Sequence, residues 1–341
     1  MGTFDIRGLR RPVIVAPMAG GPSTPELAAA GSKAGGLGFL AAGYLTADAL
    51  AEKVTAARDL TSEPLGVNLF APQPSPGTSE QIRAYADALA GEAQRYGVAL
   101  GEPRYDDDAW AAKLDAVLDL RPEVVSFTFG LPSESEIARL RSAGVTTVGT
   151  VTTLDEAWLA VRRGVDALAV QGPAAGGHRG TFDPSASPGS QSLDHLLADV
   201  LSAVDIPVVA AGGLISADDV AGVLAAGAVA AQLGTAFLLA DESGSSPVHR
   251  DALRSPEFTE TFVTRAFSGR YARGLRNRFI VDHDGQAPLG YPEIHYLTSP
   301  VRKASVAAGD PQATNVWAGT GWRQARTGSV AEIMEGLTPD R

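Results

Sequence analysis

A histidine and an arginine stand side by side in the run Val170-Gln-Gly-Pro-Ala-Ala-Gly-Gly-His-Arg-Gly-Thr-Phe182. Imidazole is the side chain whose ordinary pKa lets it give and take protons near neutrality, so His178 is the candidate catalytic residue. Gly176, Gly177 and Gly180 let the backbone approach a flat ligand closely and take dihedrals that other residues avoid. The loop follows an apolar run, 165–170, that reads as a buried strand, and of the five histidines only His178 is so placed. The same residues also describe a tight turn with a surface histidine. The elements that position the loop have to decide between the two.

Other residues have chemistry to offer. Gly212-Gly213 and Gly234-Thr235 each close a short apolar run, where free backbone amides favour a phosphate without a lysine. Thr235 adds a hydroxyl. Asn68 and Gln171 fall at strand ends, and an amide that donates and accepts at once suits the pyrimidine edge of a flavin ring. The same two amides equally suit neighbouring loop backbone. His178, His195, His249, His283 and His295 show no metal-ligand spacing, so no metal is expected. No G-x-S-x-G elbow marks a serine nucleophile. The basic cluster Arg270–Arg278 reads as a solvated or structural patch pairing with the excess of acids. Tyr291 and Tyr296 suit either an active-site cover or rim packing.

Eight short apolar runs supply the framework: 13–16, 37–41, 64–70, 123–127, 145–150, 165–171, 206–211 and 229–233. Most are about twenty residues apart with a helical pattern between, which is the signature of a (β/α)8 TIM barrel. Thr24-Pro25 marks one helix start and Ser216 another. An open doubly wound sheet is the competing architecture, but no strand runs through G-x-G-x-x-G into a helix. The barrel is expected over 8–240, with an extra helical insertion around 72–120 that holds helices at 78–95 and 106–120. A mostly helical and irregular C-terminal extension, 241–341, is expected to cover the active-site face. In such barrels the loops after the strands gather at one face, and those after the seventh and eighth form the usual phosphate grip.

The 341 residues carry a net charge of -11, which argues against nucleic acid and anionic membrane surfaces as partners. Cysteine is absent, excluding disulfides, thiolate metal sites and a cysteine nucleophile. The start has no secretory pattern and no apolar run reaches membrane-spanning length, so a cytoplasmic protein is expected, as monomer or homodimer.

Ala16-Pro-Met-Ala-Gly-Gly21, Gly66-Val-Asn-Leu-Phe70, Gln171 through Gly180, Ala210-Ala-Gly-Gly213 and Gln232-Leu-Gly-Thr235 together resemble the nitronate monooxygenases, formerly called 2-nitropropane dioxygenases. The likeness runs in order through the barrel, and the Ala-Gly-Gly-His loop is its most specific piece. It implies an FMN-binding TIM barrel that oxidises alkyl nitronates, such as propionate 3-nitronate, with O2 to carbonyl compounds and nitrite. The loop histidine would be His178. The flavin contacts would be Met18, Asn68, Gln171, Gly176, Gly177, Gly212, Gly213, Gln232, Leu233, Gly234 and Thr235. Two positions depart from the family pattern: Ala174 stands where an acid is usual, and Thr320 in Ala318-Gly-Thr-Gly321 replaces a glutamine. Two other functions fit the same residues. One is a related flavin-dependent enoyl-acyl carrier protein reductase drawing on NAD(P)H; the other is a flavin-binding barrel without turnover.

Overall fold

The computed structural model describes residues 4–338. Strands β1 (Val13–Val15), β2 (Leu37–Ala41), β3 (Leu65–Phe70), β4 (Val124–Thr128), β5 (Thr146–Val151) and β6 (Ala167–Gln171) follow the expected runs to within a few residues. A two-residue strand, β7 (Gly177–His178), lies outside the barrel, so the last two barrel strands are β8 (Val208–Ala211) and β9 (Ala230–Leu233). The eight barrel strands are all parallel, and β1 closes the ring by pairing with both β2 and β9. This is the TIM barrel that the spacing predicts. Its strands read as continuous apolar runs because both faces are covered, inside by side chains and outside by helices.

The outer helices are α1 (Pro25–Lys33), α2 (Ala47–Leu60), α3 (Ser79–Ala88), α4 (Ala90–Tyr96), α5 (Trp110–Leu120), α6 (Glu134–Ser142), α7 (Leu154–Arg163), α8 (Leu193–Ala203) and α9 (Ala217–Ala225). Hydroxyl caps start most of them: the Oγ1 of Thr24 accepts from the backbone N of Leu27 at 2.9 Å, and Ser216 forms a reciprocal box with Asp219. Gly38 shows why one strand position takes no side chain. A Cβ there would stand 1.9 Å from the Ala28 carbonyl oxygen, so α1 could not lie this close to β2.

Two helices differ from expectation. The helix predicted over 78–95 is two, α3 and α4, because the chain turns at Leu89 to bury that side chain with Ile82 and Tyr85. The helix predicted from 106 starts at Trp110, since Asp108 and Ala109 are left-handed (φ 58° and 53°).

The barrel floor is filled by Ile6, Ile14, Leu37, Phe39, Val124, Val148 and Val209. Towards their C-terminal ends the strands change character, carrying Asn68, Thr128, Thr150, Gln171 and Gln232. The extension adds α10 (Pro247–Arg254), a hairpin of β10 (Thr261–Thr264) and β11 (Ala272–Leu275), α11 (Arg278–His283), α12 (Glu293–Ala307) and α13 (Val330–Leu337). The hairpin is its one departure from a helical and irregular reading. Antiparallel pairing of β11 with β7, Ala272 opposite His178, ties the extension to the histidine loop. Ile294, Leu297 and Val301 of α12 pack with Ile82 and Tyr85 of α3, which seats α12 over the same face.

Candidate functional site

A cavity of about 900 Å³ opens at the C-terminal ends of the strands. Met18, Asn68, Gln171, Gly176, Gly177, His178, Gly212, Gly213, Gln232, Leu233, Gly234 and Thr235 all line it. Residues far apart in sequence meet because each closes a parallel strand, and parallel strands end on one side.

His178 is held on every side. Its ring makes edge contacts with Phe129 and Tyr291, at centroid distances of 5.7 and 5.8 Å, and is tilted against Trp317 at 5.6 Å. Its Nε2 lies 2.8 Å from the Oγ of Ser268, whose hydroxyl is also 3.2 Å from the Arg270 carbonyl oxygen. Nδ1 has no protein partner among the described residues. Burial, reinforced by the nearby Arg270 and Arg302 charges, pulls the His178 pKa down to about 3. The imidazole is therefore neutral at neutral pH. When the Ser268 hydroxyl donates to the Arg270 carbonyl, Nε2 carries the ring proton and Nδ1 presents a lone pair. Turned towards Nε2, the same hydroxyl leaves the proton on Nδ1.

Arg179 plays a different part from the one its position beside His178 suggests. It is buried, its Nη1 donates to the Gly172 carbonyl and its Nη2 to that of Gln171, and it does not line the cavity. Positive charge comes instead from Arg104, Arg302 and Lys303 on the cavity wall. Arg270 adds to it from behind, buried with its guanidinium 3.9 Å over the Phe129 ring and held by Gln73 and Thr181. Within the basic cluster, Arg276 and Arg278 do pair with acids, Glu260 and Glu92, whereas Arg270 and Arg273 bond neutral carbonyls.

The two amides divide their work. Gln171 is spent on its own loop, donating to the His178 carbonyl at 3.1 Å and accepting from the Gly180 amide at 2.9 Å. Asn68 donates from Nδ2 to the Ser126 carbonyl and to the hydroxyls of Ser126 and Thr128, at 2.9 to 3.2 Å. Its Oδ1 is left as an acceptor at the cavity.

Among the described residues, the backbone N–H groups of Gly212, Gly213 and Gly234 have no protein acceptor. Oriented amides at strand ends are an anion cradle. The Oγ1 of Thr235 accepts from the Gly319 amide at 2.9 Å, which leaves its own proton to donate. Ala174 and Thr320 are neighbours here, joined by a 3.1 Å bond from the Thr320 amide to the Ala174 carbonyl. The two departures from the family pattern thus fall at one place on the rim.

Sequence reasoning missed Ser268, Tyr44, Phe129, His295 and Arg302. Tyr44 and Phe129 were the most findable in principle, since each follows shortly after a barrel strand. Both are left-handed (φ 68° and 77°), a conformation that costs a bulky residue about 1–3 kcal/mol and concentrates at functional sites. Tyr44 is fixed there by its backbone N donating to the Asp108 Oδ1 at 2.8 Å. Tyr291 lies in the cluster at His178, and Tyr296 lines the cavity mouth with Arg104 stacked 3.8 Å over its ring. Glu92, Asp282 and His283 come together outside the cavity, but the Arg278 guanidinium occupies the space between the two acids. No helix among the described residues is long and apolar enough to cross a membrane.

A family model described as nitronate monooxygenase matches residues 5–340. A protein of Staphylococcus aureus named probable nitronate monooxygenase is 38% identical over 333 residues, covering 96% of this chain and 93% of its own. The crystal structure of a nitroalkane oxidase from Streptomyces ansochromogenes superposes with a TM-score of 0.94 at 50% identity, covering 97% of this chain and 95% of that one. The structure of FabK from Thermotoga maritima is more distant, with a TM-score of 0.75 and 25% identity over 98% of this chain and 93% of its own. The chain is an oxidoreductase, and it belongs to the nitronate monooxygenase family.

Proposed function

We propose that this enzyme binds FMN in the barrel mouth and oxidises alkyl nitronates with O2, giving a carbonyl compound and nitrite. The observation that carries the reading is the division of one cavity. Unpartnered amides of Gly212, Gly213 and Gly234 stand at its phosphate end, and the neutral His178 stands at another wall.

The residues fit the cofactor. The three glycine amides and the Thr235 hydroxyl would hold one phosphate, and the Asn68 Oδ1 would accept from the ring imide. Met18 would pack against the ring system from the β1 side. Among the described residues no second nucleotide cradle accompanies the first, which favours FMN over a dinucleotide flavin. Bound there, the flavin supplies the electron transfer from nitronate to O2.

The chain supplies position and charge. A nitronate is already the deprotonated form, so no strong base is needed for it. With its proton on Nδ1, His178 donates to a nitronate oxygen; with Nδ1 bare, it is placed to take the carbon-bound proton of a neutral nitroalkane, the nitronate charge formed beside it stabilising the imidazolium that burial and Arg270 disfavour in the free enzyme. The Ser268 hydroxyl serves both states by turning. Arg270 and Arg302 supply the positive field that an anionic substrate needs in a chain of net charge -11. Phe129 and Tyr291 pack on the His178 ring, and Phe70 and Trp317 give the cavity an apolar aromatic lining that limits water around the reacting carbon.

The test is direct. The purified protein should release FMN, and no FAD, on denaturation, and should consume O2 and form nitrite when given a nitronate. A protein that cannot be loaded with FMN would remove the cofactor assignment, and a loaded protein without nitrite formation would remove the reaction.

A further inference from the structure

α12 carries a second histidine on the cavity wall, and its surroundings fix which nitrogen bears the proton. The Arg302 Nη2 is 2.8 Å from the His295 carbonyl oxygen and 3.3 Å from its Nδ1. A guanidinium only donates, so Nδ1 is an acceptor and the neutral ring carries its hydrogen on Nε2. Burial and the Arg302 charge hold His295 well below the ordinary histidine pKa, consistent with a neutral ring.

The arrangement is rigid. Arg302 is held by the Thr298 Oγ1 and the Asn315 Oδ1, each at 3.0 Å. One face of the His295 ring stacks on Tyr44 at 4.1 Å and 4° between planes, and Tyr44 is itself clamped by Asp108. The remaining edge, with Nε2–H, has no protein acceptor among the described residues and borders the cavity. A fixed donor left open at a cavity wall is what a site uses to read an oxygen of its ligand.

Charge says which oxygen. Arg302 has no carboxylate partner among the described residues, and Arg104 and Lys303 line the same cavity with Glu102 as the one lining acid among the described residues. Position says which end of the ligand. The Tyr291 ring lies 5.8 Å from His178 and 6.4 Å from His295, so it packs against both histidines, each of which lines the cavity. A group meeting His295 is therefore held at a different place on the cavity wall from the carbon that reacts at His178.

We infer that His295 is a specificity-determining residue: its Nε2–H, oriented by Arg302, donates to a carboxylate at the far end of the substrate and selects nitronates that carry one. Arg302 acts here as a positioning residue. The assignment rests on the function proposed above and adds to it the residue that sets the substrate class.

The experiment compares kcat/KM for propionate 3-nitronate and for propyl-1-nitronate, in the FMN-loaded wild type, His295→Phe and His295→Gln. Phe keeps a ring against Tyr44 and removes the donor; Gln returns an N–H near the position of Nε2. The ratio of the two kcat/KM values should fall about tenfold or more in His295→Phe, carried by KM, and recover most of that loss in His295→Gln. An unchanged ratio in His295→Phe, including equal losses on both substrates, overturns the inference. Equilibrium binding of succinate against butyrate to the loaded protein, followed by tryptophan fluorescence, separates this from the reaction itself. Wild type should prefer succinate, and His295→Phe should lose that preference. A wild type that oxidises neither nitronate contradicts the proposed reaction. A wild type that binds succinate no better than butyrate contradicts the role of His295, whether or not the variants fold.

Discussion

The Nε2 of His178 and the Oγ of Ser268 stand 2.8 Å apart although 90 residues separate them. One comes from a loop after a barrel strand, the other from the loop between β10 and β11. Pairing of β11 with β7 is what delivers the serine to the histidine, so the extension completes the site as well as covering it.

Removing either partner should affect the two substrates differently. His178→Asn should keep the flavin, which is gripped elsewhere, and lower the nitronate rate per bound flavin by roughly 10- to 1000-fold. The loss on the neutral nitroalkane should be at least as large, because that substrate also needs a proton removed. Ser268→Ala should weaken nitroalkane turnover more than nitronate turnover. Steady-state rates per bound flavin check all of these; an unchanged nitronate rate in His178→Asn would take the histidine out of the mechanism.

Acid should destabilise the fold before most carboxylates titrate. His178 and His249 have folded pKa values of about 3 and about 4, against an ordinary value of 6.5, chiefly because both are buried. Above that ordinary value neither state is protonated and the two histidines are silent. As pH falls below it the unfolded chain takes up protons that the folded chain refuses, so stability drops, by up to ~1.4 kcal/mol per pH unit for each histidine. The drop continues until the folded values are reached. Thermal melts from pH 7.5 to 5 should show it, and His178→Asn should flatten the slope. A melting temperature independent of pH over that range would contradict the neutral, buried assignment.

Gly234→Leu is the cleaner test of the phosphate grip. A Cβ at Gly234 meets its nearest neighbours, the Met18 Sδ and the Ala16 Cβ, at 3.4 and 3.5 Å, which is ordinary contact. A larger side chain should block the anion cradle and lose FMN while the melting point of the cofactor-free protein stays within a few degrees. Gly213 is less suited, because its φ of +86° and a 2.7 Å approach to the Ala174 Cβ would strain the backbone whatever binds there. Full FMN occupancy in Gly234→Leu would refute the assignment.

A buried ion pair supports the aromatic wall. The Asp108 Oδ2 lies 2.7 Å from the Lys113 Nζ, which also donates to the Ala42 carbonyl at 2.9 Å. Lys113 is 1% exposed. Asp108→Asn should leave that ammonium unpaired at a cost of about 3–5 kcal/mol, and adding Lys113→Met should recover much of it. Urea midpoints measure both. Equal stability of Asp108→Asn and wild type would show that the pair is not a structural clamp.

The barrel was legible because its signals are local. Strands buried on both faces read as unbroken apolar runs, and Gly212-Gly213 and Gly234-Thr235 announce turns in backbone chemistry alone. The half of the site made by the extension was not legible. Ser268 and His295 matter through His178 and Tyr44, distant in the chain, and Arg302 matters through His295 on the same helix, whose place over the barrel no local pattern announces. Arg270 shows the difficulty most plainly. A run of arginines in an acidic chain reads as a solvated or structural patch pairing with acids, yet Arg270 is 3% exposed and bonded to neutral oxygens behind His178. Arg179 misleads in the opposite direction, since its place beside the histidine suggests ligand binding while its guanidinium braces the loop.

The most direct measurement is anaerobic mixing of the FMN-loaded protein with propionate 3-nitronate or with NADH, in separate experiments, while the visible flavin absorbance is followed. The account predicts rapid bleaching by the nitronate and recovery of the colour, with nitrite formed, when O2 is admitted. Bleaching by NADH with none by the nitronate would point to a reductase on the same barrel. Bleaching by neither would contradict catalysis altogether and leave a cofactor-binding barrel.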